Sequence, residues 1–385
     1  MTVKNGSKAG AGHRIAHILH YNSPVGGAER ATLFLARGMR DRGFESTAYC
    51  LPHADDSLRR FFLDCHIPVS TYLDVPHSFY RKSYLKASWD LSRDFRRRGI
   101  SLVHCSDVQS AYSVVFACRM ARIPLLCHVR VVWNPIVRRD QLFLRLVNHF
   151  AFVSQAASDQ FGYRAGAEHR GTVVYDSVEI KPEDRKEAGL RFRAEFGIGE
   201  REKIVGMVAR VGHHKDQRTF IQAAALLLPK YPDLRFVFVG DHSVADHREH
   251  YDKVLQWLAE FGVADRFFFT GHRTDVERII AALDISVLCT HTEALGLAII
   301  ESMVQSTPVI GTRVGGVPEI IQHGRNGFMH DHADPLSLAQ CIEGMIANPE
   351  QARSMAAQAF QDVNERFSKD AYLDRVQKLY ERMIR

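Results

Sequence analysis

The sequence predicts an α/β protein of two doubly wound parallel-sheet domains with a cleft between them. Short β-branched runs alternate with longer helical patterns along the whole chain, the mark of βαβ units and of parallel sheets covered by helices on both faces. The 385 residues, 46% of them hydrophobic, suffice for two cores rather than one. A charged stretch, DSVEIKPEDRKEAGLRFRAEFGIGERE, separates two series of strands near the middle and reads as the seam between the domains.

Taken in order, RIAHILHY reads as a strand and AERATLFLARGMRDRG as a helix ended by Gly43. ISLVHC is a strand, QSAYSVVFACRMARI a helix and PLLCHVRV a strand. In the second half the strands are KIVGMVAR, LRFVFVG, RFFFTG and ISVLC, and the helices between them are QRTFIQAAALLLPKY, REHYDKVLQWLAEFG and DVERIIAALD. The expected domains are residues 1–180 and 181–365, followed by a terminal helix over 366–385 that packs back on the first domain. Residues 1–13 read as a polar, disordered tail without the apolar core of a secretory signal.

The net charge of +6 is mild and does not argue for nucleic acid. It is unevenly spread: residues 1–180 carry 24 Lys and Arg against 15 Asp and Glu, and residues 181–385 carry 26 against 29. Seven scattered cysteines with no C-x-x-C pair suit reduced thiols in a cytoplasm better than disulfides or a zinc site. No apolar run approaches the roughly 20 residues of a membrane span.

The most informative stretch is TEALGLAIIESMVQSTPVIGTRVGGVPE, residues 292–319. It follows the strand ISVLC and opens a helix near Leu295–Leu297, where unpaired N–H groups and a partial positive charge favour an anion, and Gly296 permits close backbone approach. Glu293 precedes that helix and Glu301 lies inside it, eight steps and about 80° apart. Acids flanking a phosphate suit hydroxyl groups on either side of it rather than the phosphate itself.

Glu293 and Glu301 with the intervening ALGLAII, then PVIGTRVGGVPE and GRNGF, resemble the E-x7-E signature of the retaining GT-B glycosyltransferases of family 4. GMVARVGHHKDQRTFIQAAALL, ERFSKDAYLDRVQKLYERM and HILHYNSPVGGAERATLFLARGMRDRGFES are similar to further segments of that family, and only residues 50–100 match weakly. The resemblance implies a GT-B fold of two Rossmann-like domains. It also implies an enzyme that moves a sugar, with retention, from a nucleotide-diphosphate sugar, UDP favoured, to a hydroxyl acceptor. By that resemblance Arg210 and Lys215 bind the diphosphate, Glu301 the ribose hydroxyls, and Glu293 with Ala294, Leu295, Gly296 and Leu297 the donor sugar and its phosphate. His272 and Arg273 pack on the base, Gly26 and Gly27 close over the donor, and His128 is the active-site histidine near the sugar. Asp216 in place of glycine, YDSVEI, and HVRVVW after His128 depart from the family pattern, the last on the acceptor side.

Taken alone, Gly26-Gly27 also fits a tight βα turn and His128 a satisfied core histidine. DHSVADHREH and HDHAD gather histidines and carboxylates without a spacing tied to a known metal site, and read as solvated side chains. There is no D-x-D triplet, so turnover is expected to need neither metal nor cofactor beyond the donor. SFYRKSYLKASWDLSRDFRRRG puts Tyr84, Ala87, Leu91 and Phe95 on one helical face. It reads either as an ordinary amphipathic helix or as a surface for an anionic, partly apolar acceptor, with Arg96, Arg97, Arg98, Phe79, Tyr80 and Trp89 contributing. That acceptor would be lipid-linked, with the protein peripheral at the inner membrane face, or a soluble hydrophobic natural product. A nucleotide-sugar 2-epimerase and a binding module without turnover are the other function classes this architecture admits.

Overall fold

The computed structural model describes residues 12–20, 27–52, 56–73, 82–131, 135–163, 170–178, 181–241 and 248–385. The chain divides into two units, Met1–Asp176 together with Lys369–Arg385, and Ser177–Ser368.

In the first unit the strands are β1 (Arg14–Ile18), β2 (Glu45–Cys50), β3 (Val69–Thr71), β4 (Ile100–Cys105), β5 (Leu125–Val129), β6 (His149–Phe152) and β7 (Gly171–Val173). They form one parallel sheet in the order β3-β2-β1-β4-β5-β6-β7. Parallel neighbours need crossover connections, and helices such as Gly27–Asp41, Lys82–Arg97 and Val108–Ala121 supply them while covering both faces. All five residues of β5 are therefore buried, whichever face they point to.

The helix Lys369–Ile384, at the end of the chain, completes this core. Tyr372, Leu373, Val376, Leu379 and Tyr380 recur at helical spacing and pack with Ile15, Phe34, Met39, Phe44 and Leu102. Arg42 holds its outer side through Asp374 at 2.5 Å.

In the second unit β8 (Lys203–Val208), β9 (Leu234–Val239), β10 (Phe267–Phe269), β11 (Ile285–Leu288), β12 (Val309–Thr312) and β13 (Phe328–His330) form a parallel sheet in the order β10-β9-β8-β11-β12-β13. Phe236, Phe238 and Phe267 stack across the neighbouring strands β9 and β10, with ring centroids 5.0 and 5.4 Å apart. The boundary between the units, Asp176 to Ser177, falls at the start of the charged stretch read as a seam, which continues into a helix of the second unit, Arg185–Phe196, capped by Asp184 and ended by Gly197 in the left-handed region. The helix buries Ala188 and Phe192, and Arg185 donates to the carbonyls of Leu283 and Gln305 at 2.8 and 3.2 Å. Arg185 apart, most of its charges lie on the exposed face of that helix.

All seven cysteines are free thiols, five of them buried. Among the described residues no helix is long and apolar enough to cross a membrane. The residues expected to form a disordered tail lie, apart from Gly12 and His13, outside the described residues, as do Gly26, Phe79 and Tyr80.

Candidate functional site

The order of the second sheet reverses direction between β8 and β11, which pair directly with Val205 opposite Ile285 and Met207 opposite Val287. The chain leaves these two strands toward opposite sides, so their carboxyl ends are where a doubly wound sheet opens to a ligand. The segments after β8 and β11 are stitched into a short antiparallel ribbon. Lys215 bridges Thr290, Asp216 N–H donates to Cys289 O at 3.1 Å, and His291 N–H donates to His214 O at 3.0 Å. Buried Thr290 anchors the ribbon from below: its N–H donates to Thr312 Oγ1 at 3.1 Å, and its hydroxyl faces His214 O and Thr292 O.

This ribbon brings Lys215 and Glu293, 78 residues apart in sequence, to an Nζ–Oε2 distance of 2.6 Å. Their side chains are 22% and 18% exposed, so the pair is shielded but reachable. Arg210, two residues past the end of β8, is exposed and makes no ion pair among the described residues. The helix Leu297–Val304 begins at Gly296, whose φ of 105° is accessible to glycine, and no side chain caps it. Leu295 and Gly296 are buried, Ala294 and Leu297 half-buried, and Glu301 sits half-buried within the helix.

Gly315 and Gly316 explain why the glutamate segment is followed by a glycine pair. Gly316 N–H donates to Glu293 O at 3.1 Å, and the turn after β12 lies directly against the loop that carries Glu293. A Cβ at Gly315 would stand 1.8 Å from Glu293 O, at a φ of 52°, and one at Gly316 would stand 2.4 Å from Ala294 O. The two glycines let one backbone rest on another and so fix the position of Glu293.

Other expected site residues are placed differently. His272 is exposed, but Arg273 is held by Glu195 at 2.5 Å and by Asp275 at 2.8 Å, ion pairs that raise its pKa. Its guanidinium ties the helix Arg185–Phe196 to the helix Val276–Ala282 instead of being open to a base. Gly27 begins its helix exposed, and a Cβ there would meet nothing within 4 Å.

His128, expected beside the donor sugar, has no exposed surface, because β5 is covered on both faces. Its ring stacks on His104 with centroids 5.4 Å apart, and its Nδ1 lies 3.3 Å from His104 Nε2. Its Nε2 lies 3.6 Å from Asp176 and makes no close hydrogen bond among the described residues. Asp176 is engaged by Arg130 at 2.7 and 3.2 Å, and His104 Nδ1 meets Tyr380 Oη at 2.6 Å. In this structure His128 is part of a buried polar chain rather than a group open to a ligand. Burial first, and then the Arg130 charge, push the His128 pKa well below its usual range and that of His17 down to about 3. Burial and the neighbouring rings do the same for His104. Sequence reasoning missed this chain, although His17 and His104 are register partners on β1 and β4.

A second assembly was also missed. His332, from the segment HDHAD, meets His291 and Asp216, their ligand-type atoms all lying within 4.8 Å of one another.

The sequence profile of the family described as Glycosyl transferases group 1 matches residues 190–362, and that of Glycosyltransferase Family 4 matches residues 25–181. The chain belongs to the glycosyl transferases group 1. It is 29% identical over 213 residues to N-acetyl-alpha-D-glucosaminyl L-malate synthase of Bacillus anthracis, covering 55% of this chain and 54% of that protein. It is 28% identical over 295 residues to D-inositol 3-phosphate glycosyltransferase of Thermobifida fusca, covering 74% and 64%. The chain thus spans about half to under two-thirds of the length of these curated relatives. Its fold is that of HepE from Anabaena, solved with UDP and glucose, at a TM-score of 0.83 and 22% identity over 95% of this chain and 98% of that one. Like that neighbour, this group 1 chain is of the GT-B fold class, with its two parallel-sheet α/β domains.

Two predictions follow from these contacts. Gly315→Ala should lower unfolding stability by at least about 2 kcal/mol, from its positive φ and the overlap with a backbone carbonyl; an unchanged urea midpoint would show that the two turns do not touch. The second concerns pH. An unfolded imidazole takes up a proton near 6.5, whereas buried His17 does so only near 3. Between those values the unfolded chain binds the extra proton, so the stability present above pH 6.5 is lost as pH falls, by up to about 1.4 kcal/mol per pH unit for each such histidine. Urea unfolding of the chain should therefore weaken from neutral pH to about pH 5, and His17→Gln should flatten the slope. Equal slopes in both proteins would count against a buried neutral His17.

Proposed function

We propose that the protein is a retaining glycosyltransferase that moves a sugar from a nucleotide-diphosphate donor to a hydroxyl acceptor. The observation that carries this reading is the shielded Lys215–Glu293 pair, 2.6 Å apart at the carboxyl ends of β8 and β11, with exposed Arg210 on the same β8 loop. A leaving nucleoside diphosphate gains negative charge as the glycosidic bond breaks, and preorganised cations with the N–H groups at the start of the helix Leu297–Val304 stabilise it. In the unliganded protein Glu293 holds Lys215 in place. An arriving diphosphate competes for that ammonium and frees Glu293 to accept hydrogen bonds from the donor sugar. Glu301, further along the helix, then takes the ribose hydroxyls.

In this mechanism the acceptor oxygen bonds to the anomeric carbon on the face from which the phosphate oxygen departs. The acceptor's proton passes to that leaving oxygen, so configuration is kept without an enzyme nucleophile. Arg210 and Lys215 meet the charge of the diphosphate, and no divalent ion is required on it. UDP-sugars are the first donors to test, because HepE was solved with UDP and glucose.

The acceptor side rests on the helix Lys82–Arg97. It buries Tyr84, Ser88, Leu91, Ser92 and Phe95 and exposes Lys82, Leu85, Lys86, Trp89, Arg93 and Arg96. Trp89 is 53% exposed, with exposed Lys86 and Arg93 about a turn away on either side and exposed Asp90 beside it, a mainly basic surface that suits an anionic and partly apolar partner such as a lipid-linked sugar at the inner membrane face. Arg97 and Arg98 are paired with Asp94, and Arg96 donates to Met120 O, so that arginine run also serves the fold.

Arg210→Ala should weaken donor binding and turnover together, by about 1.5 to 3 kcal/mol, with folding intact. Glu301→Gln should weaken binding of the free nucleoside diphosphate, whereas Glu293→Gln should chiefly reduce turnover. Calorimetry with UDP and product analysis after chelation by EDTA check all three. Full activity of Arg210→Ala, or activity restored only by Mn²⁺ or Mg²⁺, would overturn the assignment, and products formed from donor alone would point to an epimerase. For the acceptor side, sedimentation with vesicles containing anionic lipid should be strong at low salt. It should be abolished by joint replacement of Lys82, Lys86 and Arg93 with Glu, each contributing about 1 kcal/mol. Absence of vesicle binding, with full activity on a water-soluble acceptor, favours the soluble natural product.

A further inference from the structure

We propose that Asp216, His291 and His332 form a site for a transition-metal ion of the zinc class, which staples three loops of the second unit. His291 follows the ribbon residue Thr290, His332 lies two residues beyond the end of β13, and Asp216 caps the helix Gln217–Leu227. All three leave the carboxyl edge of one sheet. His291 Nδ1 is 2.9 Å from His332 Nε2 and 4.0 Å from Asp216 Oδ2, and every pair of the three ligand atoms lies within 4.8 Å. Atoms bound to one tetrahedral ion at its usual bond lengths stand roughly 3.3 Å apart. The observed separations lie on both sides of that value.

The three side chains divide the work as a metal site requires. Asp216 is 5% exposed and fixed, its carboxylate accepting from Thr219 N–H at 3.1 Å and from the Thr219 hydroxyl at 2.7 Å. Such second contacts hold a ligating carboxylate in place. The two imidazoles are exposed, so their rings can turn to bring these separations to a common ion. Their nitrogens now share one proton across a 2.9 Å contact, and a metal ion takes the place of that proton once the ring carrying it has shifted to its other tautomer. Two imidazoles and one carboxylate favour Zn²⁺, Co²⁺ or Ni²⁺ over Mg²⁺ or Ca²⁺, which prefer oxygen ligands alone. A water completes the coordination.

The site differs from the one proposed for the diphosphate. Asp216 follows Lys215 in the chain and His291 precedes Glu293 by two residues, so the ion's ligands are side chains other than the Lys215–Glu293 pair, and an ion there clamps the two ribbon segments to each other. Its effect is on the stability of the second unit, and it holds whether or not the glycosyltransferase reading stands.

The experiment uses the full chain, stripped with EDTA and desalted, then titrated with ZnCl₂ or CoCl₂ while thermal unfolding and, for Co²⁺, visible absorption are recorded. One equivalent should bind with a saturable rise in Tm and a tetrahedral Co²⁺ spectrum, and MgCl₂ should give no rise. His332→Ala removes an exposed side chain, so its metal-free Tm should match the wild type while affinity falls about tenfold or more. Asp216→Asn, which keeps the helix cap, should weaken binding similarly. Equal zinc affinity in wild type, His332→Ala and Asp216→Asn would place the ion elsewhere among the histidines and overturn the proposal. A Mg²⁺ response equal to that of Zn²⁺ would overturn the assigned class.

Discussion

The antiparallel bridge between Lys215 and Thr290 is the contact on which the placement of the second unit's candidate site depends. A parallel sheet delivers its loops at one edge but does not decide where each loop goes. Here two main-chain hydrogen bonds and the buried Thr290–Thr312 contact make two loops from adjacent strands behave as one ribbon. The cation on one and the carboxylate on the other are consequently held in register without long side chains having to find each other through solvent. The ordering of those groups is accomplished during folding, so little rotamer entropy remains to be lost when a ligand arrives.

The glycine pair after β12 serves the same end from the other side. It presses a bare turn against Glu293 O and Ala294 O, where no side chain fits. Glu293 is thus gripped between a ribbon and a turn, and the helix that starts at Leu297 inherits its position from that grip. Rigid placement of a short acidic loop is what allows a carboxylate to sit beside a cationic site without collapsing onto it permanently.

The first unit solves a different problem. Its central strands carry His17, His104 and His128 into a dry interior, where an imidazolium is costly and an unpaired guanidinium more so. Arg130 is tolerated because Asp176 engages it through both oxygens, and the histidines remain neutral. Tyr380 and Tyr372, from the last helix, cap this chain at its two ends, at His104 and Arg130. The end of the chain therefore belongs to the first unit for polar as well as apolar reasons.

Alternation of apolar runs with helical periods determined the fold class, since only βαβ units satisfy that pattern. Residue type and spacing were enough to single out Glu293 and Glu301 as candidates, and the resemblance to family 4 added Arg210 and Lys215. Strands such as β2, with the polar sequence ESTAYC, and the three-residue β3, β7 and β13 left too weak a pattern to be read. The tertiary structure alone decided that Lys215 touches Glu293, that Arg273 is spent on Glu195 and Asp275, and that His128 is sealed inside β5. It alone brought His332 to His291 and Asp216 from three separate loops. The physical reason is common to all four: periodicity and local spacing record which face of an element is buried, whereas contacts between residues tens of positions apart depend on sheet order, register and loop path, and these exist only once the chain has closed on itself.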